Sequence, residues 1–164
     1  MKIRRSAFIN ISLAILVFYL VSTFKERNLL QTNNAPAPYF NLPLLNQPTE
    51  RISIAQLEGK TTVVYFFAPW CTICRYSMPN LEAALDSSNI NAIGIAFDYK
   101  NEQEVAHFVD ELNLTMPIVL GDKHTQANYK VSAFPTYYVI NEKLQITARS
   151  IGYSSQLGIA ARAW

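Results

Sequence analysis

Cysteine is scarce in this sequence: two residues in 164, Cys71 and Cys74. Without a second pair there is neither a four-thiolate zinc site nor a framework of disulfides. Histidine also occurs only twice. His107 falls in an amphipathic stretch and His124 in a polar one, neither at metal-ligand spacing to the cysteines; both read as surface or half-buried side chains. Net charge is small, +2, and Lys2, Arg4 and Arg5 at the front account for it. The remainder is close to neutral, so the basic surface that nucleic acid requires is missing. Internal repeats and low-complexity tracts are absent too. One stretch, 6–24, "SAFINISLAILVFYLVSTF", carries no charge at all.

That stretch is long enough to matter. At about 1.5 Å per residue it would span roughly 28 Å, close to the thickness of a bilayer's hydrocarbon core. A buried core helix would show polar interruptions. A cleaved signal would have a shorter apolar region and small residues at its end; here the run ends in "VSTFKERN". The pattern predicts a retained transmembrane anchor at 6–24. Residues 1–5 stay on the cytoplasmic side because basic residues are held inside. Residues 25–37, "KERNLLQTNNAPA", are polar and end Pro-rich, and read as a linker.

The folded part is expected at 38–164. "YFNLPLLNQPTERISI" suggests a hairpin around "NQPT", followed by a short helical turn closed by Gly59. "TTVVYFFA" is β-branched and aromatic throughout, the pattern of a strand buried on both faces. Met78, Leu81 and Leu85 recur at helical spacing after the cysteines. "INAIGIAFDY" is a second buried strand. Asn101 and Glu104 form a capping box for a helix that buries Val105, Phe108, Val109 and Leu112. Next come the strand "MPIVL", a short helix over "DKHTQANYK", and an antiparallel pair, "TYYVI" and "LQITARSIG". Ser154 or Ser155 can cap a final helix with Leu157, Ala160, Ala161 and Trp164 on one side. The order is a hairpin, then β-α-β-α-β-α-β-β-α: an α/β fold with a mixed central sheet flanked by helices.

Three readings compete for the cysteines. A structural disulfide would close a very short loop and so add little stability. Half of a zinc site lacks its other ligands. A redox pair at a strand-to-helix junction gains from the unpaired N–H groups and positive dipole end of the helix, which favour a thiolate at Cys71. The third reading is preferred, with Cys71 exposed and Cys74 buried behind it.

At this point the chain resembles the thioredoxin superfamily. "APWCTIC" is similar to that family's strand-Trp-Cys-x-x-Cys segment, Pro79 to the proline inside its active-site helix, and "AFPTYYVI" to the loop that holds a cis-proline. The resemblance implies a thioredoxin fold, with Cys71 and Cys74 catalytic, Trp70, Thr72, Ile73, Phe134 and Pro135 at the substrate rim, a cis Phe134–Pro135 bond, and no cofactor or metal. "PYFNLPLLNQPTERISIAQLEGKTTVVYFFAPWC" resembles the TlpA-like branch, anchored exported proteins with an added N-terminal β-hairpin, which include cytochrome c maturation reductants. The tail "SIGYSSQLGIAARAW" resembles suppressor-of-copper-sensitivity D type proteins. The resemblance further implies a single-pass inner-membrane protein with its domain in the periplasm. It would exchange, mainly reduce, disulfides in exported proteins and take electrons from a membrane thiol transporter.

Two positions depart from the family. Tyr65 stands six residues before Cys71, where many relatives bury an acid. Ser77 stands three after Cys74, where several carry Glu. Neither hydroxyl is charged at neutral pH, so the repulsion that raises a neighbouring thiol's pKa is missing. Two rival functions remain. A peroxiredoxin-like peroxidase would need Thr or Ser where Ala68 stands. A copper or other metal chaperone would need a His or Met ligand beside the pair.

Overall fold

The structure is a computed structural model and describes residues 10–13, 17, 26–87 and 90–163. The elements are β1 (Asn41–Leu44), β2 (Gln47–Ser53), a 3-10 turn (Ile54–Leu57), β3 (Thr62–Phe67), α1 (Thr72–Ser87), β4 (Asn91–Ala96), α2 (Glu102–Glu111), β5 (Ile118–Leu120), α3 (Lys123–Asn128), β6 (Thr136–Ile140), β7 (Ile146–Ile151) and α4 (Gln156–Ala163). They form a seven-stranded sheet in the order β2-β1-β5-β4-β3-β6-β7. β3 pairs in parallel with β4, and β4 with β5; β6 runs antiparallel to β3, and β7 to β6. This is the mixed sheet expected, with the hairpin β1–β2 joined to its edge at Leu44 and Val119.

β3 sits inside the sheet, between β4 and β6, because every residue of it can be buried. Strand side chains alternate between faces. Val63, Tyr65 and Phe67 join one core with Cys74, Met78, Leu81 and Phe108, while Val64 and Phe66 join the other with Phe40, Ile93, Tyr129 and Tyr138. The strand's C-terminal end leads through the buried Ala68 and Pro69 and the exposed Trp70 to Cys71 at the start of α1.

Several expectations are refined. The hairpin turns at Leu45–Asn46, with Asn46 at φ 62°, rather than over "NQPT"; Asn tolerates that left-handed backbone, and Pro48 and Thr49 are already in β2. Gly59 does end the 3-10 turn region, at φ 83°. Asn101 caps α2 through the Glu104 N–H, at 3.0 Å, but Glu104 reaches back to the N–H of Lys100 rather than of Asn101. α4 is capped by Ser155, whose Oγ accepts from Gly158 N–H at 3.2 Å. Its buried face is Ile159 and Ala163, whereas Leu157 is 82% exposed. The i, i+4 pair faces the core, and Leu157 is turned out by the helix's pitch.

The linker reading is corrected over most of its length. Leu29 is buried in the core beside Tyr138. Arg149 donates to the carbonyls of Leu29 and Leu30 at 3.1 and 2.6 Å. The N–H groups of Ala37 and Ile146 donate to the carbonyls of Leu144 and Ala35, both at 2.9 Å. Two leucines in an otherwise polar segment are enough to dock it, because each finds an apolar slot and the intervening carbonyls find donors. The anchor expected at 6–24 lies largely outside the described residues. Among the described residues no helix is long and apolar enough to cross a membrane.

Candidate active site

The site is built where three chain segments leave the sheet. The first is the β3–α1 junction. Cys71 and Cys74 are joined by a disulfide, with Cα atoms 5.3 Å apart, inside the range such a bond requires. Cys71 Sγ also accepts the backbone N–H of Cys74 at 3.1 Å. The sulfur thus occupies the place of a helix-capping oxygen, taking up one of the N–H groups that α1 leaves unpaired. A thiolate there would face the same donor and the positive end of the helix dipole. Pro79 lies inside α1; it withholds the N–H that would otherwise bond the carbonyl four residues back.

The second segment is the turn after β4. Trp70 reaches across to it, its indole N–H donating to the Asp98 carbonyl at 3.0 Å. Asp98 takes a left-handed backbone, φ 54°. The third is the loop before β6, where the Phe134–Pro135 bond is cis, as the resemblance implied. Phe134 ties all three together. Its ring meets Trp70 edge-on at 6.0 Å and stacks on Phe97 at 6.3 Å. Phe97 itself is packed over Gly121, where a β-carbon would collide with the ring.

The geometry corrects two expectations. Cys71 is not an exposed residue: it keeps 5% of its surface, and Cys74 none. The asymmetry runs in the expected direction, but access is limited to a small opening, because Cys71 is folded into the core cluster that also holds Cys74 and Met78. The exposed rim belongs to Trp70 (58%) and Ile73 (48%), with Thr72 exposed beside them. Pro135 is buried, and its carbonyl already accepts the N–H of Gly152 at 2.8 Å. A proline has no N–H, so Pro135 has little backbone to offer a visiting chain; the half-buried Phe134 beside it is the available neighbour.

Behind the pair lies a set of buried hydroxyls that the sequence flagged only as missing acids. Ser77 Oγ accepts the N–H of Ser154 at 3.2 Å and donates to its carbonyl at 3.4 Å. Ser154 Oγ donates to the Tyr137 hydroxyl at 3.3 Å. Tyr65 stacks on Tyr137 at 5.9 Å, yet its own hydroxyl is buried without a well-formed hydrogen bond. Burial pushes the Tyr65 phenol well above its ordinary range, the neighbouring Ser77 hydroxyl offsets part of that, and Tyr137 adds to it. The Tyr65 phenol stays neutral at physiological pH. On the outer side of α1, Arg75 pairs with Glu111 at 2.6 Å and lies over the Phe108 ring at 5.0 Å. The guanidinium's hydrogen bond holds the Glu111 carboxyl below its usual range.

The sequence reading missed Asp98, Phe97, Tyr76, Asn80 and Tyr153. Asp98, Phe97, Asn80 and Tyr153 enter through contacts between segments far apart in the chain, and Tyr76 through its exposure on α1. The histidines are peripheral: His107 is exposed, 3.9 Å from Glu111, and His124 meets Asn128 at 3.1 Å. Ala68, fully buried, presents no hydroxyl to the pair; its carbonyl accepts the Cys71 N–H at 3.0 Å.

Comparison with known proteins bears on this arrangement. The AhpC/TSA family profile matches residues 34–149. The thioredoxin-like protein YneN of Bacillus subtilis is 32% identical over 128 residues, covering 76% of this chain and 74% of that protein. The thiol-disulfide oxidoreductase ResA of Oceanobacillus iheyensis is 30% identical over 149 residues, 87% of this chain and 77% of its own. Among solved structures, StoA from Bacillus subtilis is 25% identical and superposes with a TM-score of 0.66, over 79% of this chain and 99% of StoA.

Proposed function

The chain belongs to the AhpC/TSA family as a thioredoxin-like disulfide oxidoreductase, and on that premise we propose that it is held at a membrane by its N-terminus and reduces disulfides of exported proteins outside the cytoplasm. The observation that carries the chemistry is Cys71 Sγ at the start of α1, bonded to Cys74 and accepting its N–H. In the reduced protein the Cys71 thiolate attacks one sulfur of a partner's disulfide and expels the other as a thiolate. Cys74, deprotonated in turn, attacks Cys71 Sγ in the mixed disulfide and frees the partner's second thiol. Two electrons pass to the partner, and the pair is left as the disulfide seen here. A membrane thiol transporter would return them.

Trp70, Thr72 and Ile73 form the rim that the partner crosses, with backbone pairing through Phe134 rather than Pro135. The support for membrane attachment is the uncharged stretch 6–24 behind three basic residues, together with the described helical residues Ile11, Leu13 and Val17, whose apolar side chains are 58%, 57% and 51% exposed. With a hydroxyl set in place of an acid, we expect a potential less negative than the roughly −270 mV of thioredoxin; equilibration against glutathione measures it.

The test separates the cysteines. Cys74→Ser should accumulate mixed disulfides with protein partners, and Cys71→Ser should accumulate none. Equal trapping by both would remove the assigned roles. Protease added outside intact spheroplasts should digest the domain; full protection until lysis would place it in the cytoplasm and overturn the location.

A further inference from the structure

The docked N-terminal segment and the end of α3 meet at an open basin of about 510 Å³. Asn28 lines it together with Lys123 and Gln126 of α3 and with Lys130, Val131 and Ser132 after it. Both lysines are exposed, and among the described residues neither ammonium has an ion-pair partner. Asp122, next to Lys123 in the chain, is committed to the α3 cap, with His124 and Arg51 near enough to feel its charge. Lys130 also holds a costly backbone. α3 ends in a Schellman arrangement, in which Val131 N–H bonds the Gln126 carbonyl and Lys130 N–H that of Ala127, each at 3.0 Å. This puts Lys130 at φ 51°, in the position where helices ordinarily carry glycine. The other described non-glycine residues with positive φ are Asn or Asp, which tolerate it, apart from Leu144, which packs against the core. Lys130 has neither excuse. A side chain kept at such a position without a partner in the fold points to a use outside it.

We infer that Lys123 and Lys130 seat the phosphate headgroups of anionic lipids, so that the domain rests on the bilayer that carries its anchor. This rests on the membrane attachment proposed above. Asn28 is four residues beyond the end of the uncharged stretch at 24, so at most about 14 Å of chain separates the basin from that stretch. The segment between is fixed to the domain from its described end: Leu29 is buried, and Arg149 holds the carbonyls of Leu29 and Leu30. A bilayer that holds the stretch therefore lies within reach of both lysines. An anionic surface is complementary to them, and each lysine brought to it strengthens the contact about fivefold. Ser132 of the basin stands two residues before Phe134. Docking here keeps the cis-proline loop on the bilayer side, where a membrane thiol partner would meet the disulfide.

The experiment places the full chain in nanodiscs of phosphatidylcholine, with or without phosphatidylglycerol. Lysines are labelled briefly with a water-soluble acetylating ester and read by mass spectrometry. Lys60 and Lys143, at the end of β3 away from Cys71, are the internal controls. With phosphatidylglycerol, Lys123 and Lys130 should label about fivefold more slowly relative to those controls, and recover at about 1 M salt. Lys130→Gly should speed Lys123 labelling in the same discs by up to about fivefold. Its urea midpoint should stay level or rise, because glycine suits that backbone. A lower midpoint with Lys123 still protected would make Lys130 a residue of the fold and overturn the site. Equal labelling in both lipids, with the chain retained on the discs, would overturn the docking and leave the anchor standing. A chain that does not stay on the discs would overturn the attachment itself, and the docking with it. Protection reproduced by inorganic phosphate on pure phosphatidylcholine would assign the basin to a free anion and overturn it as a bilayer site.

Discussion

The two faces of the central sheet bury tyrosines in opposite ways. On the face away from the disulfide, the phenols of Tyr129 and Tyr138 are both matched. Tyr129 donates to the Pro38 carbonyl at 2.8 Å, and Tyr138 donates to the Tyr129 carbonyl at 2.7 Å while accepting the Leu30 N–H at 3.2 Å. Their rings pack with Phe66 into an aromatic block that also receives Leu29. On the disulfide's face, the buried Tyr65 hydroxyl has no well-formed hydrogen bond among the described residues, and the neighbouring Ser77 hydroxyl is already engaged with Ser154. The first face uses its polar atoms to hold the N-terminal segment and the loops. The second leaves polar capacity unused in the core cluster that also buries Cys71 and Cys74. A matched hydroxyl is structural glue, whereas an unmatched one is tolerated only where something other than stability is being served.

The largest separation between the faces should come from truncating the aromatic block. Phe66→Ala removes a fully buried ring with neighbours at 5.0 to 6.1 Å and should cost about 3–5 kcal/mol. Leu29→Ala, on the same face, should cost about 2–5 kcal/mol and open the segment to trypsin at Arg27. Urea unfolding and limited proteolysis would measure the two effects. A change under about 1 kcal/mol at Leu29, with no new cleavage, would mean that this segment is a free tether after all.

The sharper contrast is between two single-oxygen deletions. Tyr138→Phe strands the Tyr129 carbonyl and the Leu30 N–H, and should lose about 1–3 kcal/mol. Tyr65→Phe removes a hydroxyl that lacks a well-formed hydrogen bond, so stability should be unchanged or rise. Comparable losses at both positions would erase the contrast between the faces, and would mean that Tyr65 is bonded in solution.

The smallest effect lies at the start of α3. Asp122 caps it through the Thr125 N–H at 2.7 Å, and that bond holds the carboxyl below its ordinary range. Asp122→Ala should cost about 1 kcal/mol near neutral pH. Because the folded pKa is depressed, this contribution is present above the unfolded value of about 3.9 and lost as pH falls through the folded one. The difference between wild type and variant should therefore be flat from about pH 7 to 5 and shrink below about pH 4. A difference that grew on acidification would assign the effect to something other than the carboxylate.

Much of the fold follows from local pattern. An all-apolar β3, a two-cysteine helix start, the Asn101 cap and the turn at Gly59 are each set within a few residues, because period, capping and backbone freedom are short-range properties. Cys71 and Cys74 were legible for the same reason: their spacing is itself the geometry. The burial of Cys71, the closed carbonyl of Pro135 and the outward turn of Leu157 were not legible, since each depends on what packs against it.

The sequence by itself determined the order of elements and the spacing of the cysteine pair, because those are written in residue type and spacing; the cis Phe134–Pro135 bond was implied by the resemblance alone. Only the tertiary structure decided that "NLLQTNN" is a docked segment and not a tether. Only it showed that Tyr65 stacks on Tyr137, that Ser77 bonds Ser154, and that Asn80 on α1 bonds the Tyr153 hydroxyl. Those contacts join positions as far apart as 120 residues. No local propensity encodes such a pair; it exists only once burial of the sheet's two faces has brought the segments together.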